Sequence, residues 1–382
     1  MKKESWGQTP AESMSPGFGR SQAVSTLPGS DPESRSQRAP AGYWRLVHGE
    51  FSLLVERRAL AANLLLVMLL LVASVAYLML GSIPVGASEL ARALSGNGEG
   101  VTAFVIHDLR LPRLAAAWLT GAAFALAGCL MQTLARNRLA TPGIIGIDNG
   151  ATAFAVASVV GLGVSLAPPA MALAGAATAA AITFGLANGG DTRGYRFIVA
   201  GIGIGAVFGA ITQLLLARVA IDTANAAYPW TVGTLNARPG GAVMALAAGL
   251  ALGLGLALAL SRSLTLMRFS DAVAAGLGVM LHRRRVQVLA LSVLLTALAV
   301  AVAGPVGMVG LIGPEIARSL SSSRGVPLFA SALAGALVMV LADLVGRLLL
   351  APIELPVGIV TAVVGGPWLL WILLRPDSRS SR

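Results

Sequence analysis

The sequence predicts an all-α polytopic membrane protein of about ten transmembrane helices, and three observations predict it. Of 382 residues, 56% are hydrophobic and only 12% are charged, against about 25% charged in an average soluble domain. Runs of 18 or more apolar residues with almost no charge recur along the chain, as a ~30 Å bilayer core requires of a spanning helix. Segments such as 60–80 and 241–260 carry no polar face at helical spacing, which a helix on a soluble core would show.

Residues 1–58 are expected to form a tail with an interfacial segment. Positions 1–42 are rich in Ser, Pro, Gly, Gln and Arg, too polar to bury a core, and read as disordered. No apolar run precedes residue 60 or so, which argues against a cleavable signal peptide. The stretch 43–58, with Trp44, Arg45, Arg57 and Arg58, reads as interfacial. A membrane domain is expected over 59–376 and a short tail over 377–382. Its candidate spans are 60–80, 112–133, 143–162, 168–187, 197–217, 241–261, 286–304, 306–321, 327–346 and 357–374. The eighth is short and interrupted by Gly310, Gly313 and Pro314. Between the first two, Ile83-Pro84 leads into SELARALSG at 88–96, which reads as a short amphipathic surface helix.

Ten spans put both termini on one side, and arginine placement says which. With the termini inside, fourteen arginines from Arg136 onward fall in inside loops or the C-terminal tail. Only Arg92, Arg110, Arg113, Arg218, Arg238 and Arg347 fall outside. The excess favours cytoplasmic termini and marks the outside arginines as exceptions that need a reason. Basic loops between apolar runs fit a membrane better than nucleic acid, despite a net charge of +11.

Several chemistries are excluded or weakened. The only lysines are Lys2 and Lys3, so no phosphate loop with its lysine exists and ATP hydrolysis must lie in another chain. The single cysteine, Cys129, and the dispersed His48, His107 and His282 make no zinc-type cluster. No metal ligands and no cofactor are expected. Nucleophile–base pairs are not apparent, so a membrane enzyme is disfavoured. The spans show no plainly mid-membrane acid or base, which disfavours an ion-gradient-driven secondary transporter. Ala127-Gly128 and Ala303-Gly304, each followed by Gly/Pro-interrupted sequence, hint at an inverted repeat.

Eight ordered motifs carry a resemblance. They are LRLPR at 109–113, GAAFALAG at 121–128, NRLATPGIIGIDNGA at 137–151, WTVGTLNAR at 230–238, GLGV at 276–279, GPVGMVGLIGPEIAR at 304–318, ADLVGR at 342–347 and ELPVGIVTAVVGGPW at 354–368. From about 60 to 375 the chain resembles the FecCD family of ABC importer permeases, which move iron–siderophore complexes, haem or cobalamin. The resemblance implies type II ABC importer architecture with inverted repeats and a channel between two permease subunits. It also implies two cytoplasmic ATP-binding subunits and an extracytoplasmic binding protein. A ferric siderophore is the favoured cargo, with haem or cobalamin as alternatives. A bare transition metal would want His or Cys along its path, and both are scarce here.

The resemblance also assigns residues. Arg110, Arg113 and Arg347 would dock acidic residues of the binding protein, as the planar fork of Arg suits carboxylates; headgroup contact or pairing with Asp108, Asp343 or Glu354 is the plainer reading. Residues 271–281 would form the coupling helix in a groove of the ATPase, with Asp271 as N-cap. Ala274, Ala275, Gly276, Leu277, Gly278 and Val279 would make the contact surface. Arg283, Arg284 and Arg285 read as an interface anchor. Gly201, Gly205, Thr212 and Gln213 would line the channel, although close helix packing is an equal use of such glycines. Asn137, Gly194 and Tyr195 match a cytoplasmic gate. Asp148 and Asn149 read as helix caps, and Glu315 with Arg318 as a local pair. Glu315 stands where the family often has His.

Overall fold

The computed structural model describes residues 42–48, 51–98, 100–161, 166–186, 195–236, 238–321 and 325–374. The expected tails over 1–41 and 377–382, and Gly194, lie outside the described residues. Residues 43–56, expected at an interface, form two hydrogen-bonded strands, β1 (Tyr43–His48) and β2 (Phe51–Glu56). Both are rich in aromatic and β-branched residues, which suit a pleated ribbon.

The regular secondary structure described beyond residue 56 is all helical. The helices are α1 (Arg57–Met79), α2 (Ala87–Leu94), α3 (Gly100–Ala135), α4 (Ile147–Val160), α5 (Pro168–Leu186), α6 (Tyr195–Ala217) and α7 (Ile221–Ala227). They continue with α8 (Gly240–Ala259), α9 (Ser261–Leu266), α10 (Asp271–Gly276), α11 (Leu281–Ala303), α12 (Val309–Leu320), α13 (Leu328–Leu348) and α14 (Val357–Leu374). The amphipathic surface helix is present as α2, opened by Glu89 Oε2 accepting from the Gly86 N–H at 3.3 Å.

Each of the ten predicted segments coincides with a helix. Among the described residues only seven (α1, α3, α5, α6, α8, α11 and α13) have the length and apolarity to cross a membrane. The short ones are broken for local reasons. The third segment begins with a 3₁₀ turn, Pro142–Ile145, and α4 starts only after Gly146 at φ +80°. A side chain at Gly146 would also press on the Gly205 backbone. In α12, Pro314 sits inside the helix and cannot donate to the Gly310 carbonyl one turn back.

α3 is the central element. The core of its span is 83% buried, whereas that of α1 is 28% and those of α6 and α8 are 22%. The GAAFALAG motif explains this. A Cβ at Gly121 would overlap the Gly335 carbonyl of α13, and one at Gly128 the Gly310 carbonyl of α12. Small residues let the backbones touch, the usual basis of helix association where lipid replaces water.

Candidate functional site

The chemistry-bearing side chains gather at the two ends of α3. At its N-terminal end, Arg113 meets Asp343 of α13 side-on, with Nε 2.9 Å from Oδ2 and Nη2 2.9 Å from Oδ1. Its remaining edge, Nη1, lies 2.8 Å from Glu354 Oε2. Tyr77 of α1 donates to Asp343 Oδ2 at 2.6 Å, and the Arg347 guanidinium lies 4.8 Å over the Tyr77 ring. Arg110 is 4% exposed and gives its terminal nitrogens to the carbonyls of Leu78 and Ile83. The three arginines expected to dock a partner are thus brought together. Arg113 is paired inside the subunit with two of the acids named for it, Asp343 and Glu354, whereas Arg110 meets backbone carbonyls and none of those acids. All three line a cavity of about 300 Å³, which Arg238 joins.

At the C-terminal end, α3 stops in a Schellman motif. The Asn137 N–H donates to Gln132 O and the Arg136 N–H to Thr133 O, with Arg136 at φ +50° in the place glycine usually takes. Arg136 Nη2 reaches Asp271 Oδ1 at 2.7 Å and its Nε reaches the Met267 carbonyl at 2.9 Å. Arg285 approaches the other Asp271 oxygen at 2.5 Å, so it is not only an interface anchor. Two residues on, Arg138 lies 3.6 Å from Glu315, which pairs with Arg318 at 2.9 Å as expected.

The expected coupling helix is shorter than 271–281. Ser270, not Asp271, is its N-cap, accepting from the Val273 N–H at 3.4 Å. The helix ends at Gly276 in a second Schellman motif: the Val279 N–H donates to Ala274 O and the Gly278 N–H to Ala275 O, with Gly278 at φ +84°. The GLGV motif is therefore mostly a cap, because φ > 0 excludes most side chains. Ala274 is buried in the subunit. Phe269, Val273, Leu277 and Met280 carry the exposed apolar surface.

In α6 the residues expected to line the channel divide between two sides of the helix. Gly201 is packed on the Ile144–Ile145 backbone, Gly205 on Asn149, and Thr212 is buried with its hydroxyl on Phe208 O. These three face into the subunit, where Gly201 and Gly205 serve close helix packing. Gln213 is exposed, and Gly203 and Gly209 face open space. Asn137 is exposed and spends Oδ1 on the Leu139 N–H at 2.9 Å; Tyr195 is the first residue of α6. Asp148 does not cap α4. It lies in the first turn after Gly146, and its Oδ1 has no hydrogen-bond partner among the described residues. Asn149 instead donates across to Gly205 O at 3.0 Å.

Gln132 was not foreseen. Its Nε2 donates to Gly310 O at 3.1 Å, replacing the bond that Pro314 cannot make, while its Oε1 accepts from Arg318 at 2.6 Å. A lone glutamine inside an apolar run, facing a proline-broken span, was the available signal.

The chain has known relatives. The model of the FecCD transport family matches residues 68–375. The chain is 35% identical over 328 residues to the ferric enterobactin transport system permease protein FepG of Escherichia coli (strain K12), covering 85% of this chain and 98% of that protein. It is 33% identical over 315 residues to the hemin transport system permease protein HmuU of Yersinia pestis, covering 80% and 94%. A solved inward-facing structure of a metal-chelate type ABC transporter superposes with a TM-score of 0.72 at 26% identity, covering 83% of this chain and all of that one. The chain belongs to the FecCD transport family.

Proposed function

We propose that this chain forms, with a second permease subunit identical or paralogous to it, the channel of an ATP-driven importer for a ferric siderophore. Two ATP-binding subunits sit on the cytoplasmic side, an extracytoplasmic binding protein delivers the cargo, and both termini are cytoplasmic in the cell membrane. The chain itself binds no cofactor. One observation carries the reading: α3 has a cationic cavity at one end and the Asp271-anchored α10 at the other. A helix of 36 residues is about 54 Å long at ~1.5 Å per residue, enough to span the bilayer core and link both faces. The cavity end would receive the binding protein. Asp271 and Ala275 to Val279, presenting Leu277 to solvent beside the exposed Val273 and Met280, would seat in the ATPase, with the buried Ala274 holding the turn to the subunit. Asn137, Gly194 and Tyr195 would close the cytoplasmic side, and the open face of α6 with Gln213 would border the channel.

The enterobactin relative supports a siderophore cargo, and the haemin relative makes haem the second reading. Uptake of radiolabelled ferric siderophores and of haem in a deletion strain, with and without the gene restored, separates them. Iron uptake that survives loss of the partner ATPase would refute the mechanism.

A further inference from the structure

Two of the interrupted segments meet around one acid. α4 begins only after the 3₁₀ turn Pro142–Ile145 and Gly146, and α12 only after the irregular stretch 304–308. Asp148, in the first turn of α4, lies between them. A Cβ at Gly143 would come 2.6 Å from its Oδ2, and one at Gly307 would come 3.8 Å from it. α6 sets the level. A Cβ at Gly146 would sit 2.8 Å from Gly205 N, and Asn149 donates to Gly205 O at 3.0 Å. Gly205 stands near the middle of the 197–217 span, so Asp148 lies near the midplane. Hydropathy does not reveal it there, because the break at Gly146 hides where its helix starts.

Asp148 differs from the other acids within the spans. Asp343 is held by Arg113, and Glu315 by Arg318. No charged group pairs with Asp148 among the described residues, and its Oδ1 has no hydrogen-bond partner among them. α5, which packs along α4, carries no charged residue. Yet this corner of the subunit is open: Asp148 is half-buried and Asn149 is exposed. Polar and ionisable groups at such depth face a bundle interior or a water-filled cavity rather than lipid. Discontinuous helices that meet at the midplane are also where transporters place their substrate sites.

We propose that Asp148 is the charge-selecting residue of the passage, favouring neutral and cationic ferric chelates of the tris-hydroxamate class over anionic tris-catecholates. This rests on the reading of the chain as a chelate-importing permease and narrows its cargo. Three singly charged hydroxamates balance Fe(III), whereas three doubly charged catecholates leave the complex anionic. A charge acts through space, and low-dielectric walls focus its field across a narrow passage. Selection therefore does not require the cargo to reach the buried Oδ1.

The test reads the charge at the wall, with the importer reconstituted in proteoliposomes. Asn149→Cys places a thiol beside Asp148, while Cys129 is buried. Two methanethiosulfonate reagents of matched size, one with an ammonium head and one with a sulfonate, should both modify it, the cationic one faster. Adding Asp148→Asn, or Asp148→Ser as a second neutral variant, should lower the ratio of the two rates by roughly tenfold. Asp148→Asn should keep the thermal midpoint, since no ion pair is lost. With Asn149 intact, the same variant should shift initial uptake from an ammonium-bearing ferric tris-hydroxamate toward a ferric tris-catecholate. Absence of modification by either reagent overturns the placement. A rate ratio indifferent to both substitutions overturns the selection, as does an uptake preference that neither changes. ATP-driven uptake of the ferric tris-hydroxamate by the parent importer tests the underlying reading separately. Its failure beside a falling rate ratio removes the importer reading and leaves the charged wall.

Discussion

Arg136 ends the central helix and grips Asp271 at the start of α10, with Nη2 and Oδ1 2.7 Å apart. It does so from a left-handed backbone, φ +50°, that costs a non-glycine residue about 1 kcal/mol or more. The ion pair is half open to solvent, with side chains 33% and 47% exposed, so it contributes only about 0–1 kcal/mol, and the Nε bond to the Met267 carbonyl adds about 1 kcal/mol, which leaves a net near zero. Stability therefore does not account for an arginine here, and linkage between α3 and α10 does. Arg136→Gly should leave the thermal midpoint unchanged or raise it, while transport per ATP hydrolysed falls several-fold in proteoliposomes. Parallel loss of stability and transport would contradict this.

Asp343 predicts the opposite balance. It is 1% exposed and is held by both Arg113 and Tyr77. Asp343→Ala leaves the Arg113 cation short of its main partner, and breaking such a buried pair costs about 3–5 kcal/mol. Folded yield in detergent should drop sharply. The double variant Arg113→Met with Asp343→Leu should recover much of the loss, since apolar replacement of both partners is often neutral. A double-mutant cycle on thermal midpoints measures the coupling.

Gln132→Leu should loosen α12 specifically. It leaves the Gly310 carbonyl without the donor that substitutes for Pro314, at a cost of about 1–3 kcal/mol for a buried orphan. Hydrogen exchange should quicken across 309–320 and change little in α1. Uniform quickening across the bundle would show that Gln132 serves the whole core.

Hydropathy made the helices legible because each apolar run must be buried in lipid or protein. It could not show where runs stop short, since Gly146 and Pro314 act through backbone geometry that composition does not report. The arginines at 110, 113 and 347 were legible as exceptions to the charge rule. Their division of labour was not, because Asp343 lies 230 residues from Arg113 and only the fold joins them. The same holds for Arg285, whose partner Asp271 is near in sequence but is reached only after the turn at Gly278. Glycine spacing in α6 was legible as a small-residue face, whereas which glycines packed inward depended on where α4 begins.

That ambiguity in α6 supplies the last prediction. Gly201 and Gly203 are two residues apart, and helical geometry points them to nearly opposite sides. A Cβ at Gly201 would overlap the Ile144 carbonyl and lie 2.8 Å from Ile145 Cα, whereas nothing lies within 4 Å of one at Gly203. Backbone cannot step aside as a flexible side chain can, so Gly201→Ala should cost about 1–3 kcal/mol by overpacking, read as a lower thermal midpoint. Gly203→Leu should fold as well as the parent protein. If the open face borders the channel, Gly203→Leu should still support stimulated ATP hydrolysis in the assembled importer while chelate uptake falls steeply. Full uptake by Gly203→Leu would move the channel wall to another helix, because a leucine on the lining of a narrow passage must obstruct a bulky cargo.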